Sequence, residues 1–410
     1  MRQRILILST SLAGGGGEYV TRLMAERLKD SICFVFERCS DLPGGGINVH
    51  VIPGKKRTTI AGKIIQNLVR LLFIQIVKLK YRPSVTISHL EGPNIANLIT
   101  VGGGKKVIFV HNTVSNNYQS DSAVDTAKKF LIGVFYTKAD RVVGVSPDVV
   151  SDLVANFNVQ KSRVEVIPNP VDAEQIIVRA KKRYKDAKDI LIKERFIVNV
   201  ASLTQQKNHD FLIKIYSKLR EVDPTLKLIL IGRGDQEQSL IESCRKKKLT
   251  VSLYSDKELR LERDVFLLGF LENPYPFVSQ SELVVMPSNW EGLPISLLEA
   301  MVLGKWTVIS DCSSAIRELM GQQEGGFEWA AGEHYRRSNA GVIMRDVGRN
   351  SLTHWVNAIR EMLDRKSAGL DGISNASETV RVLHDIVNVV PIWEKLVPDD
   401  YGRSLKNIEK

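Results

Sequence analysis

The sequence predicts an α/β protein with two consecutive series of parallel strands. Its strands are short, continuously apolar runs, as expected where a sheet is buried on both faces. Helical stretches alternate with them, the order of a parallel sheet covered by helices on each side. A charged stretch without strand character, residues 173–194, separates one series from the other.

The first series opens with a strand at residues 4–9 and a helix at 18–29. Further strands are predicted at 31–36, 47–52, 85–88, 107–110, 141–145 and 164–167. The second series starts with a strand at 196–201 and a helix at 210–221, followed by a strand at 226–232 and a helix at 236–247. Strands at 265–268, 283–286 and 307–310 continue it, and helical patterns at 352–363 and 377–396 end the chain. The expected domains are residues 1–172 and 195–384, with 173–194 connecting them. No long-period repeat or low-complexity tract interrupts this order.

With 410 residues, 43% hydrophobic and 25% charged, the chain has the composition of a globular protein of two or three domains. Its four cysteines, Cys33, Cys39, Cys244 and Cys312, form no C-x-x-C pair, so neither a zinc site nor a disulfide framework is indicated. The first apolar run, residues 5–8, is too short for a secretory signal, and a cytoplasmic protein is expected. The net charge of +11 is uneven: residues 1–170 hold 22 Lys+Arg against 12 Asp+Glu, nearly the whole surplus. Such asymmetry points to an anionic partner for the first half: nucleic acid, phospholipid head groups or a phosphorylated substrate.

Much of that charge lies in residues 55–82, which carry Lys55, Lys56, Arg57, Lys63, Arg70, Lys78, Lys80 and Arg82 and no acid. Apolar residues recur between them at helical spacing, as in a helix lying on an anionic membrane surface. The longest unbroken apolar run there, residues 71–74, is far too short to span a bilayer. The alternative is an ordinary domain helix whose basic side chains are solvated.

The most informative stretch is residues 289–301, Asn-Trp-Glu-Gly-Leu-Pro-Ile-Ser-Leu-Leu-Glu-Ala-Met. It follows a buried strand, and Gly292 and Pro294 mark a turn into a helix. The helix N-terminus, with its free N–H groups and positive dipole end, suits a diphosphate or sugar hydroxyls. Glu291 falls in the loop. Glu299 is expected about two turns into the helix, roughly 12 Å along its axis at 1.5 Å per residue. That span suits gripping two ends of one extended ligand. Earlier in the chain, a strand runs into Ser11-Leu-Ala-Gly-Gly-Gly-Gly-Glu18, whose glycines let backbone approach a ligand closely. His111 ends another strand, where open α/β sheets bind ligands.

Residues 289–301 resemble the Glu-x7-Glu signature of retaining glycosyltransferases of family 4, the glycogen synthase-like group with the GT-B fold. Residues 143–146, 167–172 and 199–209 resemble further landmarks of that family, with Pro170 where the family has Gly. The resemblance implies two Rossmann-like domains facing each other across a cleft, with a last helix, about 385–410, crossing back to the first domain and Trp393 as an anchor. It implies a donor nucleotide-sugar held mainly by the second domain and an acceptor by the first. Residue by residue, it gives Gly15, Gly16 and Gly17 a place near the donor diphosphate, and His111 a place against the transferring sugar. Lys207 matches the family's diphosphate-binding lysine. Ser202 stands where an arginine is expected, and Arg233, in the loop 232–235, is the candidate to compensate. Glu291 would hold sugar hydroxyls with help from Gly292, Leu293 and Pro294, and Glu299 would hold the ribose.

The resulting expectation is a retaining transferase using a UDP-sugar, without metal or other cofactor, since no Asp-x-Asp occurs. Its acceptor would be a glycan or a polyprenyl-diphosphate-linked oligosaccharide, at the inner face of the cytoplasmic membrane in bacterial surface polysaccharide assembly. Lys55, Lys56, Arg57, Lys63 and Arg70 would meet the anionic membrane or acceptor, and nucleic acid is not an expected partner. Two other readings stand beside it. One is a non-catalytic sugar-nucleotide or glycan-binding protein, which Ser202 allows. The other is a pyridine-nucleotide oxidoreductase, which the lack of a strict G-x-G-x-x-G disfavours.

Overall fold

A computed structural model describes residues 5–12, 14–37, 47–54, 59–118, 122–186, 188–255, 260–322, 328–368 and 374–398. The chain folds as two compact units, Met1–Asn169 with Val387–Lys410, and Pro170–Ile386. Residues 173–194 therefore belong to the second unit, where Ala173–Ala180 and Lys188–Leu191 are helical.

The first unit is built on a seven-stranded parallel sheet in the order β3-β2-β1-β4-β5-β6-β7. Its strands are β1 (Ile5–Ser9), β2 (Ser31–Val35), β3 (Val49–Val51), β4 (Val85–His89), β5 (Lys105–Val110), β6 (Arg141–Gly144) and β7 (Val164–Val166). Arg4, expected to begin the first strand, lies outside the described residues, as does Cys39. All five residues of β1 and of β4 are buried, as a sheet with both faces covered demands. Helices α1 (Gly16–Arg27), α2 (Ile60–Tyr81), α3 (Glu91–Ile99) and α4 (Ala123–Tyr136) connect these strands. α2 starts at Thr59, whose side chain accepts from the Gly62 N–H at 3.2 Å, and ends with Arg82 in a left-handed conformation (φ 44°). Its inner side, with Ile74 and Val77 buried, packs into a cluster with Leu6, Leu8, Ile32 and Phe34.

The second unit holds an eight-stranded sheet in the order β10-β11-β9-β8-β12-β13-β15-β14. It comprises β8 (Phe196–Val200), β9 (Lys227–Ile231), β10 (Val251–Leu253), β11 (Val265–Leu267), β12 (Leu283–Met286), β13 (Thr307–Ser310), β14 (Tyr335–Ser338) and β15 (Gly341–Met344). All pairings are parallel except β14 with β15. Three of these strands, β10, β14 and β15, are not among those expected from the sequence, although β15 is itself an apolar run, Gly-Val-Ile-Met. β10 and β14 lie at the sheet edges and lack the continuous apolar run of an interior strand. Helices α5 (His209–Val222), α6 (Glu237–Lys246), α7 (Ile295–Val302) and α8 (Leu352–Ser367) cover the sheet. Trp355 of α8, fully buried, meets Phe211 of α5 edge-on with ring centroids 5.9 Å apart.

The single helix expected at 377–396 is two helices, Ser374–His384 and Ile386–Glu394. Val171 causes the break. Its N–H donates to the His384 carbonyl at 2.8 Å and its carbonyl accepts from the Ile386 N–H at 2.8 Å, a parallel bridge that replaces helical bonds around Asp385. Beyond this break the chain belongs to the first unit, and Trp393 is completely buried.

Candidate active site

In the second unit β8 leads to β9 on one side of the sheet, and β12 leads to β13 on the other. The carboxyl ends of β8 and β12 therefore form a topological switch point, the place where open α/β sheets bind ligands. Lys207 arrives from the β8 loop and Glu291 from the β12 loop. The Lys207 ammonium lies 2.6 and 2.8 Å from the two Glu291 carboxylate oxygens.

Local structure fixes both. Lys207 ends a 3-10 turn, Gln205–Lys207, and Asn208 takes a left-handed conformation (φ 54°) before α5 begins. The two loops are then stitched together. Asn289 N–H donates to the Gln206 carbonyl at 2.8 Å, and the Asn289 amide to the Gln205 carbonyl at 2.9 Å. The Gln206 amide donates to the Trp290 carbonyl at 2.9 Å and to Glu291 at 3.3 Å. Below them, Asn199 on β8 donates to the Val285 carbonyl on β12 at 2.7 Å and meets His209 at 3.0 Å. Burial pushes the His209 imidazole down to about 3, with Lys207 acting in the same direction, so it is a neutral strut. The sequence does not announce this role for Asn199 and His209, because only their pairing across two strands reveals it.

Glu291 is 3% exposed and Lys207 15%, so the pair is largely withdrawn from water. Glu299 is also buried, and its carboxylate accepts from the Tyr275 hydroxyl at 2.9 Å. The expected distance along the helix is too long. Pro294 takes the N-cap position, so α7 begins at Ile295 and Glu299 stands one turn into it. The Gly292 carbonyl accepts from Ser313 at 3.1 Å, and Leu293 is buried, which anchors the turn between the two acids. Cys312, next to Ser313, has its thiol pushed up to about 12 by burial and then by Glu291, which favours the protonated form.

Arg233 does not join this pair. Gly232 (φ 152°) and Gly234 press its loop against Ala201 and Leu203, whose carbonyl oxygens would lie 1.9 and 2.1 Å from any added Cβ. The Arg233 side chain runs the other way, beside Gly269, and stacks on Tyr254 with 4.8 Å from guanidinium to ring centre. It thus faces the β9–β11–β10 side of the sheet. Ser202 brings no charge, and among the described residues Lys207 is the cation paired with Glu291.

Two sequence-family profiles match the chain: "Glycosyltransferase Family 4" over residues 14–175 and "Glycosyl transferases group 1" over residues 180–335. The chain belongs to the GT-B glycosyltransferases of the family 4 type. One relative in this family is the N-acetylgalactosamine-N,N'-diacetylbacillosaminyl-diphospho-undecaprenol 4-alpha-N-acetylgalactosaminyltransferase of Campylobacter jejuni, 33% identical over 240 residues. That match takes in 58% of this chain and 60% of the relative, so the chain spans about 60% of the length of the curated relatives it first matches. Among solved structures, Anabaena HepE in complex with UDP and glucose is similar in fold, with a TM-score of 0.69 at 18% identity over 96% of this chain and 99% of that one. Sucrose-phosphate synthase from Thermosynechococcus elongatus gives 0.71 at 16% identity over 98% and 100%.

The first unit shows a second convergence. His89, ending β4, and His111, just after β5, meet through Nδ1 and Nε2 at 3.1 Å, and His89 stacks on Phe109. Burial holds both imidazoles neutral: His89 lies well below its ordinary value, and His111 is pushed down to about 4. Gly17 packs directly on them. A Cβ there would lie 2.9 Å from the Leu90 side chain and 3.1 Å from the His111 ring, so a larger residue in this first turn of α1 would require both to shift. Gly16 and Gly17 are the first residues of that helix.

Of the basic residues expected to meet an anionic surface, Lys55, Lys56 and Arg57 lie outside the described residues. Lys63 is exposed on α2. Arg70 turns inward instead, its guanidinium 4.7 Å from the Phe36 ring and 4.0 Å from Glu37, so the protein already uses its charge. No helix among the described residues is long and apolar enough to cross a membrane.

Proposed function

We propose that this chain transfers a sugar, with retention at the anomeric carbon, from a UDP-sugar to a hydroxyl of a lipid-diphosphate-linked glycan in bacterial surface polysaccharide assembly. The observation that carries the reading is the Lys207–Glu291 pair, preformed at the switch point between β8 and β12. An ammonium there neutralises a departing diphosphate, and the adjoining carboxylate accepts hydrogen bonds from sugar hydroxyls. N–H groups opening α7 add a positive dipole end. Glu299, one turn further, receives the ribose hydroxyls beside Tyr275. The family resemblance supports proton transfer from acceptor to donor phosphate without a protein nucleophile. Lys207 supplies the charge that a metal would otherwise bring, so EDTA should leave turnover unchanged. The UDP bound in HepE and the diphospho-undecaprenol substrate of the Campylobacter relative support the choice of donor and acceptor.

An exposed apolar surface supports a lipid-linked acceptor. On α2, Ile64, Ile65, Leu68, Leu72, Ile76 and Leu79 are each more than half exposed, and the helix has no acidic residue. Gln75 holds the exposed Val101 beside this face through paired bonds of 2.8 and 3.0 Å. Such an apolar stripe with Lys63, Lys80 and Arg82 at its margins fits the interface of an anionic bilayer on the inner leaflet. A thermal-shift panel of UDP-, GDP- and ADP-sugars tests the donor, and stabilisation by the UDP-sugars alone is expected. A product anomeric proton of inverted configuration would overturn retention.

A second reading, a non-catalytic binding protein, draws on one observation: Ser202 lacks the family's arginine and Arg233 points to Tyr254. Sugar transfer by the native chain that is lost in Glu291→Gln excludes it.

A further inference from the structure

Glu299 is held from a direction the sequence does not suggest. Its carboxylate accepts from the hydroxyl of Tyr275, which opens a short helix, Tyr275–Gln280, packed beside α7. Both residues are buried, Tyr275 to 4% exposure. Tyr275 is itself clamped from residues 173–186, the stretch that leads from the start of the second unit toward β8. The Arg179 guanidinium lies 5.3 Å from the centre of the Tyr275 ring and donates to the Glu272 carbonyl. The Asn273 amide returns a bond to the Arg179 carbonyl at 2.9 Å. The Tyr184 hydroxyl donates to the Asn273 carbonyl at 2.5 Å, and its ring leans on Phe277 with centroids 5.3 Å apart. Phe277 in turn meets Phe196, the first residue of β8, edge-on at 6.0 Å.

The helix Ala173–Ala180 packs against both the Tyr275 helix and α7, so one element steadies the two ends of the Tyr275–Glu299 bond. Asp172 starts that helix by accepting from the Gln175 N–H at 3.0 Å, and Ile176 is buried beneath it. Stability alone does not ask for such an arrangement. A buried phenol and a buried carboxylate each cost free energy to dehydrate, and an apolar pair at these positions would not. What the pair supplies is direction. Tyr275 meets Oε1 of Glu299 at 2.9 Å, which fixes the plane of the carboxylate. A vicinal diol is the ligand that reads such a plane, since its two hydroxyls stand side by side and bond well only to an acceptor already turned to meet them.

We propose that Tyr275 is a positioning residue: it turns Glu299 toward the paired hydroxyls of a nucleotide ribose, and Arg179 and Tyr184 hold it in that role. The assignment of Glu299 to the ribose belongs to the glycosyltransferase reading above, and the proposal rests on it. The clamp does not depend on which base or sugar the donor carries, because every ribonucleoside diphosphate presents the same diol. Residues 173–186, expected only to connect two domains, thereby become part of donor recognition.

Titration calorimetry of the full chain with UDP, 2′-deoxy-UDP and 3′-deoxy-UDP tests this. The native chain should bind UDP about tenfold more tightly than either deoxy form, the loss expected for a hydrogen bond to a charged group. Tyr275→Phe should bind UDP about tenfold more weakly than the native chain and distinguish the ligands by about twofold or less, as coupled groups do. Tyr184→Phe keeps the ring against Phe277 and loses only the hydroxyl, and it should shrink the discrimination in the same direction. A tyrosine with a merely structural role would, when changed, lower affinity for every ligand alike. Undiminished discrimination in Tyr275→Phe therefore overturns the proposal, whether or not UDP binding has weakened, and in Tyr184→Phe it overturns the clamp. If Tyr275→Phe does not fold, Tyr184→Phe decides by the same measure. Equal binding of UDP and its deoxy forms by the native chain, or no binding of UDP, overturns the ribose reading of Glu299 itself and the proposal with it.

Discussion

Lys207 and Glu291 form a largely buried ion pair whose proposed task is catalytic rather than stabilising. Two charges withdrawn from water gain little over apolar residues of similar size, yet leaving one of them alone is costly. Glu291→Gln is expected to reduce kcat/KM by about 100-fold or more, the usual loss when a charge-stabilising group is removed. The melting temperature should change far less, because Gln206 and the backbone still stitch the loops. Steady-state kinetics beside calorimetry checks both, and near-native turnover would remove Glu291 from the chemistry. His111 gives a pH signature. An unfolded histidine titrates near 6.5, whereas burial holds this one at about 4. Between those values only the unfolded chain takes up the proton, so stability falls as pH drops from 6.5 toward 4. Replacing His111 with Gln should flatten urea-denaturation stability across that window by up to about 1.4 kcal/mol per pH unit.

Helix α2 has two faces with opposed tasks. Its inner face carries Lys78, buried at 1% exposure, whose ammonium donates to the Asn97 carbonyl and side-chain oxygen at 2.8 and 2.9 Å. Burial, and then Lys106, pull this lysine down to about 7 from 10.5. In that interval the unfolded chain holds the extra proton, so this group makes the fold more stable as pH rises from 7 toward 10.5. Lys78→Met should lose that rise, measured by denaturation at a series of pH values. The outer face is the apolar stripe. Liposome flotation should recover the native chain with anionic vesicles, while Leu68→Glu with Leu72→Glu should leave it at the bottom of the gradient. Equal flotation of both would remove α2 from the membrane.

The two units carry different chemistry at their switch points. The second concentrates a cation and two acids at its own, and the first, between β1 and β4, gathers two neutral imidazoles. Hydrogen exchange with and without UDP should therefore protect the loops after β8 and β12. Amides of the first sheet should exchange as before. Protection centred on the first sheet would reverse the assignment of donor and acceptor.

Much of this architecture is legible in the chain itself. The apolar run at residues 283–286 matches β12 residue for residue, and the strand expected at 307–310, Thr-Val-Ile-Ser, matches β13, because a strand buried on both faces keeps an apolar centre. The turn at Gly292–Pro294 likewise announces a loop feeding a helix. Edge strands β10 and β14 carry no such signal, since one flank meets solvent or loop and their composition is free to vary. The pairings decide the rest. Lys207 and Glu291 are 84 residues apart, and His89 and His111 are 22. Their convergence follows from strand order, which hydrogen bonding between distant segments sets and no local pattern encodes. The same holds for Arg233, whose charge is plain in the sequence and whose direction is fixed by two glycines pressed on a neighbouring loop.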